Sequence, residues 1–131
     1  MAKIFGIHHL AVRCRGVEQF EQAIRFYTEV LQFPLVRTWK SGDNLCAMVD
    51  VGGSMLELFS NGTGDFGTEP FPHLAFKTDD TDACIDKVRT AGCEITMEPT
   101  DIVIGSTPPY PARIAFCKGP AGEELEFFCE K

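Results

Sequence analysis

An internal repeat constrains the fold of this sequence more than any other feature. The segment His-Leu-Ala-Val at residues 9–12 returns as His-Leu-Ala-Phe at residues 73–76, 64 positions later. After each copy comes a polar stretch and then a run of apolar residues at helical spacing. Each half ends in a similar segment, Met55-Leu-Glu-Leu-Phe59 in the first and Glu124-Leu-Glu-Phe-Phe128 in the second. The chain is therefore predicted to contain two similar supersecondary units.

The first half is predicted to form one helix and four strands. The helix is expected near residues 16–31, where apolar residues recur every three or four positions. These residues are Val17, Phe20, Ile24, Tyr27 and Leu31. The strands are expected near residues 4–12, 33–40, 45–51 and 54–60. Gly52-Gly53 separates the last two strands and is typical of a tight hairpin turn.

The second half repeats this order. Its helix is expected near residues 79–91, after Asp79, Asp80 and Thr81, which are residue types that commonly cap a helix N-terminus. The apolar residues at helical spacing are Ala83, Ile85, Val88 and Ala91. The strands are expected near residues 71–77, 93–97, 112–118 and 123–129.

These patterns predict an α+β fold built from two tandem βαβββ modules. One helix covers one face of each sheet, and the uncovered faces are expected to form a curved sheet around a cleft, because an exposed sheet face must be buried or used. The expected organisation is a single domain over residues 1–131. Module 1 lies at about 3–61, a Gly- and Pro-rich linker at 62–70, and module 2 at about 71–131.

The alternation of side chains along a strand predicts which residues enter this cleft. Successive residues of a strand point to opposite faces of the sheet. In the repeated strands one set of residues is apolar and is expected to pack under the helix, while the opposite set carries a histidine or a glutamate near its middle. His8 is assigned by this alternation to the face opposite His9. The four cleft residues are His9, Glu57, His73 and Glu126.

Two imidazoles and two carboxylates in equivalent positions predict a site for one divalent cation. A carboxylate in an apolar strand needs a partner, since burying it alone costs several kcal/mol. This donor set is borderline in softness, so nickel, cobalt, zinc, manganese and ferrous iron would all suit it. Four protein ligands on an octahedral ion leave two positions for water or substrate, as catalysis requires. A lone histidine or glutamate in a strand is more often structural. Four such residues in equivalent positions of the repeat favour the metal site.

Charge and cysteine content exclude several other functions. The chain carries 12 basic and 19 acidic side chains and a net charge of -7, which disfavours nucleic acid and anionic membranes as partners. The opening residues lack a signal-peptide pattern and no apolar run reaches the length of a membrane span, so a cytoplasmic protein is expected. The six cysteines form no Cys-x-x-Cys pair and are expected to pack as reduced thiols.

The residues quoted above resemble the vicinal oxygen chelate superfamily, which includes glyoxalase, bleomycin-resistance and extradiol dioxygenase proteins. The resemblance runs from Ile7-His-His-Leu-Ala-Val12 to Glu124-Leu-Glu-Phe-Phe128 and includes Phe26-Tyr27 at the end of the first helix. The ligand order His, Glu, His, Glu is most similar to that of glyoxalase I. The resemblance therefore implies metal-dependent isomerisation through an enediolate, from the hemithioacetal of methylglyoxal and glutathione to S-lactoylglutathione, and so a role in detoxifying methylglyoxal.

The same resemblance implies roles for individual residues. Glu126 is expected to remove and return the substrate proton, with Glu57 as its counterpart. Arg13 and Asn61 match positions that bind the γ-glutamyl end of glutathione, although they also suit a strand end and an Asn-Gly turn. Relatives assemble their sites within one chain or between two, so a homodimer is expected.

Other functions within this superfamily stay open. A related epimerase or isomerase could act on another small substrate, such as an acyl-CoA or a sugar acid. A metal-free binding or resistance protein is the non-enzymatic alternative. The proline-rich segment from Ile104 to Pro111 is longer than expected for glyoxalase I, and is expected to act as a stiff lid or to reshape the pocket.

Overall fold

The chain divides into two compact units, Met1–Gly64 and Asp65–Lys131. The computed structural model describes residues 7–63 and 73–131. The start of the predicted first strand and most of the predicted linker at 62–70 therefore lie outside the described residues. Within the described part of the chain, no helix is long and apolar enough to cross a membrane.

The first unit consists of a four-stranded sheet and one helical segment. The strands follow the order β1-β4-β3-β2 across the sheet. The first and last strands of the unit, β1 and β4, are parallel, and the remaining neighbours are antiparallel. The elements are β1 (His9–Arg13), α1 (Gly16–Arg25) followed by a π-helical turn (Phe26–Val30), β2 (Leu35–Ser41), β3 (Asn44–Asp50) and β4 (Met55–Phe59).

The second unit has the same topology. Its strand order is β5-β8-β7-β6, again with the first and last strands parallel and the rest antiparallel. The elements are β5 (Leu74–Lys77), α2 (Thr81–Thr90), β6 (Ile95–Ile104), β7 (Tyr110–Lys118) and β8 (Glu124–Glu130). The predicted α+β class and the two βαβββ modules are confirmed.

The helix-facing residues of the last strand in each unit form its core. Leu56 and Leu58 of β4 are 1% and 0% exposed, and Leu125 and Phe127 of β8 are 0% and 2% exposed. Helix α1 packs against β3 and β4, while α2 packs against β6, β7 and β8. The helices contribute Phe20, Ala23, Phe26, Tyr27, Ile85 and Val88. The alternation predicted for these strands is confirmed on the apolar face.

Three residues expected on the buried helix faces are exposed instead. Val17 is 47% exposed, because it lies in the first turn of α1 and burial begins one turn later at Phe20. Ala83 and Ala91 lie near the two ends of α2 and are also exposed. Apolar spacing alone does not distinguish a helix end from the helix middle.

Strand β6 extends well beyond its predicted end at residue 97. It continues to Ile104 and pairs with β7 up to Tyr110. The register shifts between Met97 and Thr100, on either side of Pro99. A proline lacks the N–H that a strand pairs with, so it is tolerated on an edge strand or at a bulge, and β6 is the edge strand of this sheet. Most of the proline-rich segment therefore joins two strands of one hairpin.

The predicted turn at Gly52-Gly53 is confirmed. Both glycines have positive φ, 110° and 102°, a region that other residues rarely adopt. Their N–H groups donate to Asp50 Oδ1 at 2.8 and 2.9 Å. These two hydrogen bonds lower the pKa of Asp50 and fix the connection between β3 and β4.

All six cysteines lie in the described residues, and none of them forms a disulfide. Cys14, Cys46 and Cys117 are buried, in agreement with their predicted packing role. Burial raises the pKa of Cys117 to about 12, so this thiol stays protonated and unreactive at neutral pH.

Replacing Asp80 with alanine is expected to lower the free energy of unfolding by about 1 kcal/mol. The Asp80 side chain caps α2 by accepting a hydrogen bond from the Ala83 N–H at 2.9 Å. Urea unfolding followed by circular dichroism measures the loss. Asp79→Ala removes a neighbouring exposed carboxylate and is the matched control, expected to change stability by less than about 0.5 kcal/mol. Equal losses in the two variants would contradict the capping role.

Candidate metal site

In the first unit, strand pairing brings a histidine and a glutamate together on the sheet face opposite the helix. The parallel register pairs Ala11 of β1 with Glu57 of β4. His9 lies two residues before Ala11 and therefore points to the same face. His9 Nε2 is 3.5 Å from Glu57 Oε1. Glu57 lies two residues after Met55, the residue directly opposite His9. Such diagonal neighbours on adjacent strands can contact each other when their side chains are long.

The second unit repeats this arrangement with the same register. Ala75 of β5 pairs with Glu126 of β8, and His73 lies two residues before Ala75. His73 Nε2 is 3.2 Å from Glu126 Oε1. The two imidazoles are about equally exposed, with side-chain exposures of 42% and 43%. The sequence repeat therefore has a structural counterpart in two equivalent histidine–glutamate pairs.

The two glutamates differ in their surroundings. Glu126 is slightly more buried, with a side chain that is 8% exposed against 13% for Glu57. Burial raises the pKa of Glu126, because an apolar environment disfavours the charged carboxylate. Nearby His73 partly opposes this effect. Glu126 is therefore a stronger base than an exposed glutamate.

Aromatic side chains surround the pair of the second unit. Phe116 is the cross-strand partner of Glu126, and its ring meets the His73 ring edge to face, with centroids 5.5 Å apart and planes at 90°. Beyond it, Tyr110 packs against Phe128 at a centroid distance of 5.7 Å. Phe116 was not among the predicted site residues, although its alternation in β7 places it on the face of Glu126.

In the first unit, the residue opposite Glu57 is Met48 rather than an aromatic residue. Cys46 lies two residues before Met48 in β3, and so on the same face. Its pKa is raised by burial first and then by the negative charge of Glu57. An apolar wall thus also lines this pair, but with smaller and more flexible groups.

The prediction that His8 points away from His9 is wrong. Strand β1 begins at His9, so the alternation of faces does not extend to His8. The two Nδ1 atoms lie 3.0 Å apart, and the rings meet edge to face with centroids 5.2 Å apart. His8 is therefore a direct neighbour of the first unit's histidine–glutamate pair.

Arg13 and Asn61 lie at the ends of the strands that carry the first pair. Arg13 is the last residue of β1 and pairs with Phe59. Asn61 follows β4 and forms a backbone bridge with Arg15. Both side chains are exposed. In the sequence they follow His9 and Glu57 by four residues each, but Asn61 lies beyond the end of β4 and its backbone bridge is antiparallel.

The structure groups the four predicted ligands two by two. Within residues 7–63 and 73–131, no group of three or more His, Cys, Asp or Glu side chains could hold a metal ion together. Each pair offers one imidazole nitrogen and one carboxylate. A site that uses all four residues therefore stays a prediction.

Comparisons with known proteins agree with this fold. A 32% identical relative, covering 88% of this chain and 86% of its own length, is named a probable lactoylglutathione lyase of Vibrio parahaemolyticus. The glyoxylase/bleomycin resistance protein/dioxygenase domain from Frankia sp. EAN1pec superposes with a TM-score of 0.78 at 20% identity, covering 98% of this chain and all of that one. Glyoxalase I from Zea mays superposes with a TM-score of 0.71 at 25% identity over 93% of this chain, which spans 43% of the maize chain.

The model of one protein family matches nearly the whole sequence, from residue 6 to residue 127. The matched region includes both histidine–glutamate pairs. The chain belongs to the Glyoxalase/Bleomycin resistance protein/Dioxygenase superfamily.

Proposed function

We propose that this protein is a divalent-metal-dependent isomerase of the lactoylglutathione lyase type. Its proposed substrate is the hemithioacetal of methylglyoxal and glutathione, and its product is S-lactoylglutathione. The observation that carries this proposal is the repetition of one histidine–glutamate pair, in the same register, in both units. The name of the Vibrio parahaemolyticus relative supports the same reaction.

The spacing of the donor atoms fits a shared cation. Nitrogen and oxygen ligands lie roughly 2.0–2.2 Å from an ion such as Zn²⁺, so two adjacent ligands of one ion are about 3.0–3.5 Å apart. The two Nε2–Oε1 distances are 3.5 and 3.2 Å. Without a cation, Nε2 needs a proton to face the carboxylate favourably, whereas a cation binds the unprotonated Nε2. His9, Glu57, His73 and Glu126 are the proposed ligands.

Four ligands require both pairs at one ion. The two pairs can come from one chain or from two chains of a homodimer, which is the assembly we propose. Either arrangement binds one ion per chain. Nickel, cobalt, zinc, manganese and ferrous iron all suit two imidazoles and two carboxylates.

Glu126 is the proposed base for the reaction. It takes the proton from the carbon that bears the hydroxyl group of the hemithioacetal and returns it to the neighbouring carbon. Its raised pKa and its aromatic surroundings suit this role, since a general base works best when its pKa approaches the working pH. A bound divalent cation would stabilise the negative charge that develops on the substrate oxygen. Glu57 is the proposed counterpart of Glu126.

Arg13 and Asn61 are the proposed contacts for the glutathione part of the substrate. A guanidinium group binds a carboxylate with two parallel hydrogen bonds, and an amide side chain can donate and accept at the same ligand. Both side chains are exposed; Arg13 is the last residue of β1 and Asn61 follows β4. Glutathione is thus the proposed co-substrate, and detoxification of methylglyoxal in the cytoplasm the proposed role.

Removal of metal is expected to abolish isomerisation, and its return to restore it. The purified protein would be treated with a chelator, dialysed, and titrated separately with Ni²⁺, Co²⁺, Zn²⁺ and Mn²⁺ by calorimetry. We expect one ion per chain and recovery of thioester formation from the hemithioacetal with at least one metal.

The matched control for this experiment is Glu124→Gln. Glu124 lies on the same strand as Glu126, but it is hydrogen-bonded to Thr96 Oγ1 at 2.7 Å and belongs to neither pair. This variant should bind metal like the unaltered protein. Absence of metal binding in both proteins would contradict the proposal and favour a metal-free binding protein. Metal binding without thioester formation would support the metal site but contradict the proposed substrate. Acyl-CoA and sugar-acid substrates would then be assayed.

A further inference from the structure

We propose that His8 is a positioning residue for His9. In this inference the Nδ1 of His8 accepts a hydrogen bond from Nδ1–H of His9, which leaves the Nε2 lone pair of His9 directed at the metal position beside Glu57. The inference rests on the proposed function, in which His9 is a metal ligand.

The geometry gives the two ring nitrogens of His9 different partners. On one side, His9 Nδ1 is 3.0 Å from His8 Nδ1, within hydrogen-bonding distance. On the other side, His9 Nε2 is 3.5 Å from Glu57 Oε1. The edge-to-face contact of the two rings, at 86°, holds the imidazole planes in this arrangement.

A contact between two imidazole nitrogens requires that one carries a proton and the other does not. If His9 donates, its Nε2 is unprotonated and can bind a cation. If His8 donates, the proton of neutral His9 is on Nε2, and metal binding there is blocked. Metal binding therefore selects the first arrangement, in which His8 is the acceptor and carries its own proton on Nε2.

A neutral imidazole is a suitable partner for His9 both with and without a bound metal. A histidine ligand commonly donates its second N–H to a carboxylate or carbonyl, which fixes its orientation and raises its basicity. A neutral imidazole can accept in one tautomer and donate in the other. His8 can thus stay hydrogen-bonded to His9 in the metal-free protein as well as in the metal-loaded one.

The arrangement is particular to the first unit. By the sequence repeat, the position equivalent to His8 is Pro72, a residue type with no ring nitrogen that can accept a proton. His73 is contacted instead by Phe116, edge to face. The two histidines of the proposed site are therefore oriented by different means, one polar and one apolar.

The experiment measures the hydrogen bond between His8 and His9 and the metal affinity of the protein separately. The chain has three histidines, so ¹⁵N-histidine labelling gives three ring systems to assign. At about pH 8.5, where imidazoles are ordinarily neutral, we expect a ¹⁵N–¹⁵N scalar coupling between His8 and His9 in the unaltered protein. Phe116→Leu is expected to leave this coupling unchanged, because Phe116 contacts His73, the histidine of the other pair.

Metal affinity reports the positioning role. His8→Phe keeps an aromatic ring but lacks an acceptor, and we expect its Zn²⁺ affinity to fall by about tenfold or more. His8→Gln retains an acceptor oxygen and is expected to recover most of that loss. Thermal unfolding of all three proteins checks that the exposed substitutions leave the fold intact.

The outcomes distinguish this inference from the proposed function. If the unaltered protein binds no metal, both are wrong. If it binds metal but His8→Phe binds equally tightly, or if the coupling between the two rings is absent, only the role of His8 is overturned. Reduced affinity in His8→Phe together with recovery in His8→Gln supports it.

Discussion

Glu126→Gln is expected to abolish turnover while leaving metal bound. The amide keeps an oxygen that can coordinate a cation, but it cannot take a proton from carbon. A general base of this kind contributes roughly 10²–10⁴-fold to the rate, so kcat should fall by at least that lower figure while KM changes little. Thioester formation from the hemithioacetal, measured on protein of known metal content, checks this result.

Two further variants show whether the effect belongs to Glu126. Glu57→Gln removes the equivalent carboxylate of the first unit, which is less buried and is expected to retain more activity. Glu124→Gln changes the same residue type two positions away on β8 and should remain fully active. Full activity in Glu126→Gln would refute its assignment as the base, whatever the metal content.

Leu125→Ala is expected to reduce the free energy of unfolding by about 3 kcal/mol. Leu125 is fully buried and belongs to β8, which packs against α2. Truncating a buried leucine removes apolar contacts and leaves a cavity, at a cost of roughly 2–5 kcal/mol. Urea unfolding at equilibrium, followed by circular dichroism, measures the difference.

The control is the same substitution at an exposed leucine. Leu35 in β2 is 46% exposed, so Leu35→Ala should change stability by no more than about 0.5 kcal/mol. A loss below 1 kcal/mol in Leu125→Ala would mean that the helix-facing side of β8 is not the core of the second unit.

The order of helices and strands could be predicted from sequence because the apolar patterns are strong and occur twice. Leu56 and Leu125 alternate with Glu57 and Glu126 along their strands, so each apolar residue marks the helix-facing side and each glutamate the opposite side. The structure pairs each glutamate with the histidine of the same half. The same reasoning therefore served both the fold and the candidate site.

The features of the fold that could not be predicted from the sequence are departures from regular periodicity. Strand β6 runs through Pro99, which is acceptable on an edge strand or at a bulge, and both strand order and register are tertiary properties. The first helix ends in a π-helical turn, where the Leu31 N–H donates to the carbonyl of Phe26, five residues back. No spacing rule predicts that turn.

The neighbours of the candidate site were missed for a related reason. His8 lies just before β1, where strand alternation does not apply. Phe116 lies within β7 and points to the correct face, but only the register between β7 and β8 places it beside Glu126 and His73. Phenylalanine has no ionisable or metal-binding group, so its residue type does not mark it as part of a site.

Because β1 pairs with β4, and β5 with β8, each candidate pair joins the first and last strands of its unit. The two members of a pair are separated by roughly 50 residues, so their encounter requires nearly the complete unit, with the loop-closure cost of long-range contacts. A nascent unit still missing its final strand would hold its histidine without the glutamate of the pair. Binding of an ion by two such pairs would thus require that synthesis and folding of both contributing units have been completed.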